Sequence, residues 1–135
     1  MSTVTDFPAA LRYTREHEWT RVQGTEVEVG ITAYAAQQLG DVVFVELPQV
    51  GTRVTAGKPF GVVESVKSVS DLFAPLTGEV TAVNHELETA PERVNDSPYN
   101  EGWMIRIQPD ESTAVDSLLT ANEYANWLKQ ADAAH

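Results

Sequence analysis

The chain has 135 residues, 9 Lys+Arg against 20 Asp+Glu for a formal charge of −11, 42% apolar residues and no cysteine. That length builds one domain around one modest core, and so acidic a balance, with no basic cluster to offset it, disfavours nucleic acid and anionic membrane surfaces as partners. Without cysteine there is no disulfide framework, thiolate metal site or cysteine nucleophile, so any sulfur chemistry must come from an attached group.

The acidity is uneven: residues 1–83 carry 10 acids and 6 bases, residues 84–135 carry 10 acids and 3 bases. Solubility is the ordinary reason for such charge, and an acidic docking surface for enzymes is the sharper one. The N-terminal segment lacks both a basic-then-apolar leader and an Arg-rich transit pattern. A cytoplasmic protein with no membrane partner is expected.

In chain order, the first clear element is Glu26–Ile31, where Val27, Val29 and Ile31 share one face and Glu26 and Glu28 the other, the period of a half-buried strand. Thr32 then reads as an N-cap, residues 33–39 as a two-turn helix and Gly40 as its stop. Short strands are expected over 42–47, 53–56, 60–66, 69–74, 79–84 and 103–107, with Pro and Gly between them. Residues 50–57 (VGTRVTAG) echo 76–83 (LTGEVTAV). Residues 87–102 show little periodicity and read as a long, ordered surface connection. Thr120–Glu123 matches a capping box, after which Tyr124, Trp127 and Leu128 repeat at helical spacing. The fold class is mainly β, a sandwich or small barrel with a short helix in the N-terminal half and a C-terminal helix.

Catalytic signatures are missing: there is no glycine-rich nucleotide loop, no GxSxG elbow and no HExxH. His17 and His85 read as satisfied structural histidines, and His135 is the last residue. The three lysines are more informative. Lys58 precedes a proline in a turn, Lys129 lies in the terminal helix, and Lys67 sits inside VESVKSVSD. Val62 and Val66 share one parity, Val69 and Phe73 the other, so a turn or bulge is expected at residues 67 and 68. Lys67 would then stand at a hairpin tip. There it is either an ordinary exposed lysine or an amine held out for attachment of a carboxylate-bearing prosthetic group, with Glu64 and Asp71 nearby.

The segments YTREHEWTRV (13–22), VGITAYAAQQLGDVVFVELPQVG (29–51), GVVESVKSVSDLFAPLTGEVTAVN (61–84), PERVNDSPYNEGWMIRI (91–107) and LLTANEY (118–124) resemble the H proteins of the glycine cleavage system. The likeness runs over about residues 11–128, with ESVK followed by SD, HEW and SPYNEGW as its most specific parts. It implies that residues 1–135 form a single lipoyl-carrier domain, a lipoyl-domain-like barrel-sandwich hybrid of short antiparallel strands. It also implies lipoate in amide linkage to Lys67, supplying the sulfur that a Cys-free chain lacks. Such a carrier takes an aminomethyl group from the pyridoxal-phosphate glycine decarboxylase (P protein) and delivers it to the tetrahydrofolate-dependent aminomethyltransferase (T protein). It passes electrons to dihydrolipoamide dehydrogenase (L protein), and lipoyl-attaching enzymes are further partners.

By the same resemblance, Glu18 and Asp71 match residues that dock the loaded arm. Glu16 and Gln38 stand where some members have serine and histidine, and Glu16 offers a second carboxylate. His17, Trp19, Tyr99 and Trp103 are expected as core and loop-anchoring residues. The carrier is expected to be a monomer and not an enzyme, with no metal site. The alternative is an H-protein-like relay that hands octanoyl or lipoyl groups to other lipoate-dependent enzymes. The lipoyl or biotin domains of larger enzymes fit less well, since they carry Asp-Lys-Ala or Met-Lys-Met where this chain has Val66-Lys67-Ser68.

Overall fold

A computed structural model describes residues 7–133; His135 lies outside them. Among the described residues, nine short strands form two antiparallel sheets. The larger contains β1 (Arg12–Tyr13), β2 (Glu18–Gln23), β3 (Glu26–Ile31), β9 (Ile105–Pro109), β8 (Gly78–Val83) and β5 (Arg53–Val54), in that spatial order. The smaller places β6 (Pro59–Ser65) between β4 (Val42–Glu46) and β7 (Val69–Phe73). The inward residues of both sheets, Val29, Val63, Leu72, Val80 and Ile107 among them, meet in one core, whose burial drives the packing. The echoing segments hold β5 and β8, which pair antiparallel with Arg53 opposite Glu79.

Helix α1 (Ala33–Leu39) links β3 to β4 and is capped as its sequence indicates: the Ala35 N–H donates to Thr32 Oγ1 at 3.2 Å, and Gly40 closes it at φ +84°. The C-terminal helix α4 (Ala121–Ala133) opens on the reciprocal Thr120–Glu123 capping box. Its Tyr124 and Leu128 pack on Leu11, Tyr13 and Trp19, forming a second, aromatic-rich core. Trp19 lies across β3 at Gly30, where a Cβ would come within 2.7 Å of the indole. Only glycine permits that crossing.

Several expectations are corrected. β1 and β2 were not legible: in EWTRVQ the acidic Glu18 is buried and Val22 is 56% exposed, the inverse of the usual hydrophobic pattern. The connection from 87 to 102 holds two single-turn helices, α2 (Glu86–Thr89) and α3 (Arg93–Asp96), too short for a 3.6-residue period to emerge. A 3₁₀ turn occupies Ser112–Ser117. His85 is exposed, 3.6 Å from the Glu88 carboxylate, and is not a structural histidine.

Shared parity of the valines around Lys67 does not mark the buried face. Val63 and Leu72 point inward while Val66 and Val69 are about two-thirds exposed, because a register shift between Pro59 and Gly61 resets β6 before the tip. The turn itself exists, at Val66–Lys67, with Glu64 paired to Val69.

Candidate functional site

The tip between β6 and β7 closes without Asn-Gly because a serine side chain replaces a backbone acceptor. The Ser65 N–H donates to the Ser68 carbonyl at 2.8 Å, while Ser65 Oγ accepts the N–H groups of Ser68 (3.1 Å) and Lys67 (3.3 Å). The Val66 N–H donates to the Asp41 carbonyl at 3.0 Å, tying the tip to the α1–β4 link. Lys67 is exposed. Its stem passes the end of α1 so closely that a Cβ on Gly40 would stand 3.3 Å from Lys67 Cε. Gly40 therefore serves both the helix stop and the lysine's path, a double role that no spacing in the sequence signals.

Beside this tip runs a groove of about 300 Å³. The β1–β2 turn contributes Glu16, His17 and Glu18; α1 contributes Tyr34, Gln38 and Leu39; the β6–β7 hairpin contributes Val63, Asp71 and Leu72. Glu18 and Asp71, with the divergent positions Glu16 and Gln38, thus come together on one groove. None of the three lysines, Lys67 included, is among its lining residues.

The walls are held from behind by the connection that follows β8. The Asn95 amide donates to the Gly40 carbonyl at 2.9 Å and its Oδ1 accepts the Val42 N–H at 2.8 Å, which fixes the C-terminal end of α1. Tyr99 Oη accepts the Ala33 N–H at 3.0 Å at the other end. The Trp19 indole N–H donates to the Pro98 carbonyl at 2.9 Å. Tyr99 and Trp19 are anchoring residues, as expected, and the motif from Asn95 to Tyr99 is a brace for α1. His17 combines anchoring with lining the groove.

Glu18 sets the electrostatics. The residue is 2% exposed. Oε1 accepts the Thr14 hydroxyl at 2.6 Å and Oε2 accepts the Phe73 N–H at 3.4 Å, while Thr14 Oγ1 itself accepts the N–H groups of Glu16 and Glu18 at 3.2 Å. None of the ion pairs among the described residues includes it. Burial, opposed only in part by these hydrogen bonds, pushes its carboxyl up to about 8. Burial likewise lowers the His17 imidazole below its ordinary value. Thr14 is a site residue that the sequence did not disclose.

The fold thus sets an exposed amine at a hairpin tip near a groove that holds one buried carboxyl outside any ion pair, an arrangement suited to a carrier of an attached group. No helix among the described residues is long and apolar enough to cross a membrane. The sequence model of the glycine cleavage H-protein family matches residues 11–131. The chain is 56% identical over 123 residues to the glycine cleavage system H protein of Anoxybacillus flavithermus, covering 91% of this chain and 97% of that one. It is 57% identical over 123 residues, with the same coverage, to that of Geobacillus thermodenitrificans. The crystal structure of the glycine cleavage system H protein from Mycobacterium marinum superposes with a TM-score of 0.83 at 44% identity, covering 91% of this chain and 99% of that one. The chain belongs to the glycine cleavage H-protein family. It is a lipoyl shuttle of the glycine cleavage system, a carrier and not a catalyst.

Proposed function

We propose that Lys67 carries lipoate in amide linkage and that Glu18 and Asp71 dock the loaded arm in the adjoining groove. The observation that carries this reading is the uncompensated burial of Glu18 beside the hairpin that presents Lys67. A carboxyl in that position is buried without a charged partner, and a protonated amine would supply one.

The residues fit such an arm. Leu39, Val63 and Leu72 offer an apolar lining to its aliphatic chain, and Glu16, Glu18 and Asp71 offer oxygen acceptors to its cargo. When bound, lipoate supplies the two sulfurs through which an aminomethyl group is held and released. Thr14 steadies one Glu18 oxygen and the Phe73 N–H the other. Burial favours the protonated form of Glu18 in the free groove and attraction to an ammonium favours its ionised form, so docking of the cargo shifts the carboxyl toward ionisation and releases its proton to solvent. Asp71, exposed at the rim, meets the amine on the way in and out. Walls that exclude water slow hydrolysis of the cargo linkage.

In this reading the chain acts as a single-domain cytoplasmic monomer. It visits glycine decarboxylase, aminomethyltransferase and dihydrolipoamide dehydrogenase in turn, after a lipoyl-attaching enzyme has modified it. The test is reconstitution with glycine decarboxylase. The lipoylated protein is expected to support exchange of carbon dioxide with glycine, and Lys67→Arg to abolish it. Glu18→Ala is expected to speed release of ammonia and formaldehyde from the loaded protein. Full exchange by Lys67→Arg overturns the attachment assignment, and an unchanged release rate removes Glu18 from the docking site.

A further inference from the structure

Two walls of the groove, the β1–β2 turn and helix α1, belong to different parts of the chain, and one buried hydroxyl of the C-terminal helix joins them. Tyr124 Oη lies 2.6 Å from His17 Nδ1 and 3.1 Å from Thr32 Oγ1. Thr32 is the N-cap of α1, its oxygen accepting the Ala35 N–H at 3.2 Å. His17 is the one non-glycine residue of the described chain with positive φ, at +73°, and its carbonyl accepts the Thr32 N–H at 2.9 Å. A left-handed histidine is a costly backbone state that needs outside support. The support converges on Tyr124, whose ring is fully buried, stacked on Tyr13 at 5.0 Å and met edge-on by Phe7 at 4.7 Å.

Counting protons gives the network a direction. Thr32 is fully buried, and the acceptor for its hydroxyl proton among the described hydrogen bonds is Tyr124 Oη. The phenol proton then goes to His17 Nδ1, so the imidazole is held as the neutral tautomer with its proton on Nε2. Around the ring stand Glu16 and Glu18 from its own turn, Tyr34 from α1, and Tyr124 and Trp127 from α4.

We propose that Tyr124 is a positioning residue of the docking groove: through the relay Thr32 to Tyr124 to His17 it locks the His17 tautomer, the turn that buries Glu18, and the start of α1 into one arrangement. This rests on the reading of the groove as the arm's docking site. The C-terminal helix, which meets the groove's lining at His17, thereby controls how well cargo is held.

The test pairs ring ¹⁵N NMR of His17 with cargo release from the loaded protein. In the parent protein the spectrum is expected to show unprotonated Nδ1 and protonated Nε2; a protonated Nδ1 overturns the relay without any variant being made. Tyr124→Phe is expected to mix the tautomers and to raise the release rate about fivefold, the scale of one lost hydrogen bond. Thr32→Ser, which keeps the hydroxyl, is expected to match the parent in both measurements. An unchanged His17 spectrum in Tyr124→Phe overturns the proposal, as does unchanged release where Glu18→Ala accelerates it. If Glu18→Ala also leaves release unchanged, the groove is not the docking site and the positioning role falls with it, while the His17 spectrum still reports whether the relay exists.

Discussion

Two buried glutamates stand on adjacent strands of one sheet and meet opposite fates. Glu28 on β3 is 4% exposed, and its cross-strand neighbours Arg21 and Arg106 pair with it from either side, at 2.8 Å to Oε1 and 3.0 Å to Oε2. Each arginine also lies over an indole, Arg21 over Trp19 and Arg106 over Trp103. Glu18 on β2 is 2% exposed and has a hydroxyl and one long amide contact. The first is a finished structural network; the second is an electrostatic debt left open at a groove. Equal burial therefore separates scaffold from site only when the partners are counted.

The comparison is sharpened most by pH. Because folding raises the Glu18 carboxyl from 4.5 to about 8, the folded state holds a proton that the unfolded state has lost between those values. Its contribution to stability is complete below about pH 4.5 and is lost as pH rises through about 8, at roughly 1.4 kcal/mol per pH unit. Urea denaturation of the unlipoylated protein across that window is expected to show this decline, and Glu18→Gln to flatten it. A Gln variant with the parent's slope would mean that the carboxyl is charged when empty.

Glu28→Gln at neutral pH is expected to cost about 2 kcal/mol, because two partly exposed arginines lose their shared carboxylate; an unchanged urea midpoint would break the contrast between the two glutamates. Asn95→Ala, which frees the end of α1 behind the groove, is expected to cost about 1 kcal/mol by the same measurement. Arg53→Ala serves as the control: its bidentate pair with Asp110 lies in open solvent, and no resolvable shift in midpoint is expected.

Legibility in the sequence followed the same division. Where local physics decides, the reading was direct: period-2 alternation located β3, side-chain and glycine caps bounded α1, and the capping box opened α4. Where a residue's environment is made by distant segments, it was not. The inward side of β6 depends on a register shift, and the exposed valines beside Lys67 imitate a core face. Glu18 reads as a surface acid until the Phe73 backbone and the groove close on it. The docking role proposed for it and for Asp71 rests on the family resemblance rather than on spacing. Nothing in the sequence ties His17 to Tyr124, 107 residues away.

The central claim is that Lys67, alone among three lysines, is the amine this scaffold presents for modification. Peptide mapping by mass spectrometry after incubation of the unmodified protein with lipoate, ATP and a lipoyl-attaching enzyme tests it directly. One lipoyl group on Lys67, with Lys58 and Lys129 untouched, is the predicted result. An unmodified Lys67, or a lipoyl group on either of the other two, would contradict it.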